Sequence, residues 1–433
     1  MNVRSGIALI ILVCVSLLSH PARAQFSQQG PKLVGTGGFF HNPGQGFSVS
    51  ISSDGNTAIV GGPEDRTSSG TNRGAAWVWT RTGEVWTQQG PKLVGSFAIE
   101  STYQGISVGL SADGNTAIVG GYGDLYGIGA AWIWTRNGGV WTQEGPKLVG
   151  AGASGNALQG TSVALSADGN TAIVGGPRDN GGVGAVWIWT RSGDVWTQQG
   201  PKLSSSGASG NAHQGYSVAL SADGNTAIVG AWCDSSAGAA WVWTRSAGVW
   251  IQQGSKLAGS GARGRGQPDC NTFGEGSSVS LSADGNTAIV GEPKDASSGF
   301  EAIGAAWIWT RSGEVWTQQG PKLVGSGSFE SAYQGTSVSL SADGNVAIVG
   351  GPTDDRGTGA AWLWTRRGGV WTQQGEKLVG TGVSNPFLSP AGQGTSVAMS
   401  GDGHTAIVGG YGDNFRVGAA WIMVARRVRA VRR

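Results

Sequence analysis

Read from Gly160, the chain sets small polar against apolar residues in "TSVALS", follows with a short apolar run "TAIVGG", and then turns apolar again in "GAVWIW" and "VWTQ". Alternation with a period of two marks strands with one buried face, and the runs are too short and too rich in β-branched and aromatic residues for helices. Asp-Gly separates the first two strands and "RSGD" the last two, both hairpin signals. One unit therefore predicts four antiparallel strands, a to d. The turn "DGN" or a variant recurs at Asp54, Asp113, Asp168, Asp223, Asp284, Asp343 and Asp402, at spacings of 59, 55, 55, 61, 59 and 59 residues. Seven small sheets that cannot cover both faces alone must cover one another, so the fold class is all-β, a seven-bladed propeller. Strand a, with Ser162, Ala164 and Ser166, belongs at the crowded axis, and strand d at the rim.

The seventh unit stops after "VGAAWIMVARR", in strand c. The phrase "WTQQGPKLVG" or a close variant closes every other unit, and a further variant, "QFSQQGPKLVG", runs from Gln25. Residues 25–34 are therefore expected to serve as strand d of blade 7, beside Ala419 to Val424, closing the ring. Tryptophans recur at three places in most units, as at Trp77, Trp79 and Trp86, a pattern of inter-blade core rather than of sugar-stacking surface. A lysine follows strand d in every copy, at Lys32, Lys92, Lys147, Lys202, Lys256, Lys322 and Lys377. Edge strands use such charges against pairing with other molecules, and that reading is preferred here to a ring-shaped anion site.

Composition adds three points. Residues 1–24 combine Arg4, an apolar stretch from Ile7 to Leu18 and Ala22-Arg23-Ala24, a cleavable export signal, which places the mature chain outside the cytoplasm, in the periplasm, at the envelope or secreted. No later stretch has the length of a membrane span. Taking Arg4, Arg23 and the five arginines of the last nine residues from a net charge of +2 leaves the body near −5, which argues against nucleic acid. The propeller is thus assigned to residues 25–425 and a basic tail to 426–433. Beyond the signal only Cys233 and Cys270 remain, both in the deviating connections of blades 4 and 5, and export favours a disulfide between them.

The string "GxSVxLSADGNTAIVGGPxD…GAAWVW" resembles the FG-GAP repeat family, the propeller blades of integrin alpha chains and of many exported bacterial proteins. Counterparts of the family's Phe-Gly-x-Ser-Val and Gly-Ala-Pro are Gln45-Gly46-Phe47-Ser48-Val49 with Gly61-Gly62-Pro63, and Glu275-Gly276-Ser277-Ser278-Val279 with Gly291-Glu292-Pro293. Gln or Glu replaces the family Phe, as in a divergent branch. The resemblance implies a ligand-binding, adhesive propeller, and in many members calcium in an acidic loop. Here each "ADGN" turn offers one carboxylate where calcium needs several, so no cofactor or metal is expected.

Length changes fall in the b–c and d–a connections, which share one face of the disc, here the top; binding specificity is expected there. Each b–c loop carries an Asp two residues after a Pro, Tyr or Trp: Asp65, Asp124, Asp179, Asp234, Asp295, Asp354 and Asp413. Together with Tyr122, Trp232 and Tyr411, which stand where the other blades have Pro, they form the candidate ligand-binding set. Capping of a turn by the Asp side chain explains the same repetition, and for the aspartates that reading is preferred. His41, His213 and His404 make no recognisable triad, so no catalytic residue is assigned and an enzyme is not expected. The expected function is a monomeric, exported binding or adhesion module for a protein or a glycan. Alternatives are a lectin with repeated equivalent sites, an envelope scaffold and, behind these, a propeller hydrolase.

Overall fold

The computed structural model describes residues 25–38, 42–262, 274–296, 302–384 and 389–426. It is a seven-bladed β-propeller of four-stranded antiparallel sheets. In blade 1 the strands are Ser48–Ile51, Thr57–Gly62, Ala75–Thr82 and Val85–Gln88, hydrogen-bonded in chain order. The other blades repeat this pattern. Residues 1–24, read above as an export signal, and residues 427–433 lie outside the described residues. Strand c of blade 7, Ala419–Arg426, takes Arg426 from the segment assigned to the tail.

The closing strand, Gln25–Gln28, pairs antiparallel with Ala419–Arg426, Gln25 opposite Arg426 and Gln28 opposite Met423. Leu33 then bridges Ala420, as Leu93 bridges Ala76 in blade 1. The N-terminal segment thus completes the last blade, as its wording in the sequence requires.

Small residues at the axis allow two closed rings of hydrogen bonds. In the first, each strand a opens with a serine that donates to a glycine carbonyl of the next blade, Ser48 to Gly105 at 2.8 Å and so on round to Ser396, which reaches Gly46 at 2.9 Å. In the second, backbone amides link Ser53, Ala112, Ala167, Ala222, Ala283, Ala342 and Gly401 in turn, and Gly401 N–H returns to Ser53 O at 2.9 Å. Two blades approach so closely that a Cβ on Gly61 would lie 2.1 Å from Gly105 O, which explains the glycine at the next-to-last place of every strand b.

Between blades lies the apolar core. Trp77 is 0% exposed, packs with Leu33, Ile407 and Ile422 of blade 7, and donates Nε1–H to Thr36 O at 2.8 Å, so its one polar atom is satisfied. Its six counterparts are equally buried. The third tryptophan of blades 1 to 6 clamps the seam: in blade 1, half-buried Trp86 and Arg81 both donate to Gln29 Oε1, at 3.1 and 3.2 Å, with the guanidinium 5.5 Å from the Trp86 ring. Blade 7 has Ala425 and Phe26 where the others place this Arg and Trp, so the seam between blades 6 and 7 is held without the clamp.

Candidate functional site

Two chain positions in each blade reach the top mouth of the propeller: the residue that follows the glycine pair of strand b, and the residue between "QG" and strand a. Where blades 3, 5, 6 and 7 have Thr or Ser at the second position, blades 1, 2 and 4 have Phe47, Ile106 and Tyr216. At the first position Tyr122, Trp232 and Tyr411 replace Pro. These departures converge on a cavity of about 590 Å3 whose aromatic wall is Phe47, Tyr122, His213, Tyr216 and Trp232. Ile106, Leu158 and Pro177 extend the apolar lining, Thr161, Ser277 and Thr336 supply hydroxyls, and Arg178 stands on its rim.

The wall is stacked. His213 lies parallel to Trp232, ring centroids 5.0 Å apart and planes 1° from parallel, and Tyr216 meets Trp232 edge-on at 6.2 Å. Tyr103 stacks on Tyr122 at 5.1 Å. Tyr411 meets Phe47 edge-on at 5.6 Å beneath the Arg416 guanidinium, next to the cavity rather than in it. Tyr103 and His213 hold left-handed backbone, φ 55° and 60°, where blades 1 and 7 use Gly44 and Gly392. That conformation costs a non-glycine residue about 1 kcal/mol, which the ring stacking must offset. Burial pushes the Tyr216 hydroxyl up to about 12 and raises that of Tyr122, so both phenols are neutral. Burial, aided by Arg178 nearby, lowers the His213 imidazole against the opposing hydrogen bond to Pro177 O, and this ring too is neutral at pH 7.

The structure corrects the reading of the two charged rings. Asp65, Asp124, Asp179, Asp234, Asp295, Asp354 and Asp413 are all buried, none more than 2% exposed. Each is ion-paired within its own blade to the lysine after strand d: Lys92, Lys147, Lys202, Lys256, Lys322, Lys377 and Lys32, respectively. The second carboxylate oxygen commonly ties down the preceding d–a connection, as Asp124 Oδ1 accepts from Ile99 N–H at 2.8 Å and Asp179 Oδ1 from Ser154 N–H at 2.7 Å. The aspartates therefore brace loops and do not face a ligand, and the lysines are counter-ions rather than bare edge charges. Replacing Lys147 by Met is expected to cost roughly 3 kcal/mol in urea unfolding, because Asp124 is left buried and unpaired. Lys147→Met with Asp124→Asn should recover most of that loss.

The "ADGN" carboxylates are likewise engaged locally. Asp113 accepts from Ser111 Oγ at 2.5 Å and from Asn115 N–H at 2.9 Å. Burial opposes its charge, but these bonds outweigh it and hold the carboxyl below its usual range. No group of three or more His, Cys, Asp or Glu side chains among the described residues is arranged to hold a metal ion.

Blade 5 departs from the repeat in its interior. Gln45 and its counterparts use both ends of a buried amide: Gln104 Oε1 accepts from Gly95 N–H at 2.5 Å while Nε2 donates to Gly95 O at 3.3 Å. Glu275 takes that place in blade 5, accepting from Gly259 N–H at 2.6 Å through Oε2, while its Oε1 is buried with no hydrogen-bond partner among the described residues. Glu292, at a position that is Gly or Ala in every other blade, is 1% exposed, and its Oε2 is also unpartnered. Burial first, then neighbouring carboxylates, raise both to about 8. Cys233, next to Trp232, is disulfide-bonded and 2% exposed; Cys270, its expected partner, lies outside the described residues.

Of the residues singled out in the sequence, then, Tyr122 and Trp232 meet in one cavity, Tyr411 borders it, and the seven aspartates are elsewhere. Phe47, Arg178, His213 and Tyr216 were not among the site candidates; Phe47 and Tyr216 carry a signal, each being aromatic where four of the seven blades have Thr or Ser, whereas the position of His213 varies from blade to blade. Compared with known proteins, the chain matches no family model and no curated protein sequence.

Proposed function

We propose that this chain is an exported, non-catalytic binding module, a propeller of FG-GAP type that takes one ligand at the central mouth of its top face. The observation that carries the reading is the asymmetric aromatic cavity: its aromatic wall is built where blades 1, 2 and 4 abandon the repeat, on a ring that is otherwise nearly uniform. Small-molecule sites are concave, largely apolar and preformed, with few polar groups, and this cavity has that character. Repeated equivalent sugar sites on the tryptophans fit poorly with the complete burial of Trp77 and its counterparts.

Screening residues 25–433 against arrays of glycans and extracellular proteins tests this reading. A ligand is expected whose signal falls at least ~10-fold in Trp232→Ala, the loss of one large stacking surface, and is unchanged in Glu314→Gln on the opposite, c–d turn. Retention of binding in Trp232→Ala would move the site elsewhere, and release of a cleaved product would make the protein an enzyme.

A further inference from the structure

The polarity of the cavity's hydrogen-bonding groups narrows its ligand. Thr161 donates its hydroxyl proton to Leu158 O at 2.7 Å, Thr336 to Tyr333 O at 2.7 Å, and Ser277 to Gly274 O at 2.6 Å. A hydroxyl has one proton, so each of these oxygens has only lone pairs left for a ligand. His213 Nδ1 lies 3.1 Å from Pro177 O; a carbonyl only accepts, so Nδ1 carries the proton and Nε2 of the neutral ring is an acceptor. Toward a ligand these four groups are therefore acceptors, beside the O–H groups of Tyr122 and Tyr216 and the Trp232 N–H in the same lining. The ligand must bring donors for the four, as hydroxyl groups can while also accepting.

Charge points the same way. Among the lining residues the only formal charge is that of Arg178, which is exposed and makes no ion pair among the described residues. Its guanidinium offers paired donors suited to a carboxylate. Around it, Tyr122 and Trp232 offer rings to a flat face bearing C–H groups. Several hydroxyl donors, one C–H-bearing face and one acid group occur together in a sugar acid. A neutral sugar leaves Arg178 without a partner, and an aromatic acid leaves the acceptors of Thr161, Ser277, Thr336 and His213 without donors.

We infer that the cavity binds a uronic acid residue, its pyranose face against the Trp232 and Tyr122 side of the wall, its hydroxyls donating to the lining oxygens and its carboxylate on Arg178. The inference rests on the binding reading above and adds the ligand class. Calorimetric titration of residues 25–433 with glucuronic acid, a glucuronate-containing tetrasaccharide and the matching glucose tetrasaccharide tests it. At least one acidic probe should bind ~10-fold or more tighter than the neutral one, the difference expected of one charge-assisted pair. Arg178→Gln should erase that difference while leaving the melting temperature alone, since the side chain is exposed. Equal binding of monosaccharide and tetrasaccharide identifies a free sugar acid, and binding of the tetrasaccharide alone identifies a polysaccharide residue. Equal affinity for the neutral tetrasaccharide, or an acid preference that survives in Arg178→Gln, overturns the inference but leaves the binding reading standing wherever Trp232→Ala still abolishes a signal. Absence of any Trp232-dependent ligand, sugar or protein, removes both.

Discussion

A chain that starts at Val34, lacking residues 25–33, is expected not to form a stable ring. Lys32 leaves with the deleted strand, and Asp413, 0% exposed, keeps its charge with no counter-ion. Breaking a buried pair this way costs about 3–5 kcal/mol. Leu33, 3% exposed in the core between blades 7 and 1, removes a further ~2–5 kcal/mol. The ladder to strand c of blade 7 is lost as well, and Gln29 no longer receives Arg81 and Trp86 of blade 1. These terms together reach the whole stability of a typical domain, about 5–15 kcal/mol. Circular dichroism melting of residues 25–433 against 34–433 should show a cooperative transition only in the longer chain. A synthetic peptide of residues 25–38 should restore it in part, and equal melting temperatures would show that the N-terminal strand is dispensable.

This closure was legible because an exact repeat fixes both the number of blades and the missing piece. A strand phrase at Gln25 with no partner before it, and a last unit without that phrase, admit one simple solution. Strand assignment was equally secure, since "TAIVGG" and "AAWVWT" recur with the same residue at the same depth. Periodicity does not say which contacts hold the ring shut. The donation of Ser48 to Gly105 and the amide ring through Ala112 depend on distances across blades, and nothing in a single unit encodes them.

At the site the same periodicity left more than one reading of each charged ring open. Seven aspartates in top loops resemble a ring of ligands, and seven lysines after strand d resemble edge protection; folding brings each pair together across 22–27 residues in blades 1 to 6, and across the termini in blade 7. Repetition at a charged position reflects a structural need of every blade. Function concentrates where the repeat fails. Tyr122 and Trp232 were found by that rule, and Phe47 and Tyr216 obey it too, but they sit between a glycine and strand a, where variation looked unimportant; His213 stands at a position that varies from blade to blade and so gave no such signal.

Blade 5 yields the second large effect, for Glu275→Gln. Six blades hold Gln at this site with both amide ends bonded, so the substitution restores the common arrangement. The folded protein raises Glu275 from its ordinary value of 4.5 to about 8, mainly through burial. Between those two values the folded state binds a proton that the unfolded chain releases. Stability therefore falls as pH rises from about 4.5 to about 8, and levels off above that. Glu292 adds a fall of the same sign, and Asp295 with its partner Lys322 completes the charged surroundings. A neutral amide carries no such slope. Wild type and Glu275→Gln should be nearly equally stable near pH 4.5, where a protonated Glu275 can donate as the amide does. Toward pH 8.5 the variant should gain on the order of 3 kcal/mol, read as a higher urea midpoint with an unchanged m-value. A gain of the same size at every pH would show instead that the side chain's fit, and not its charge, separates blade 5 from the rest.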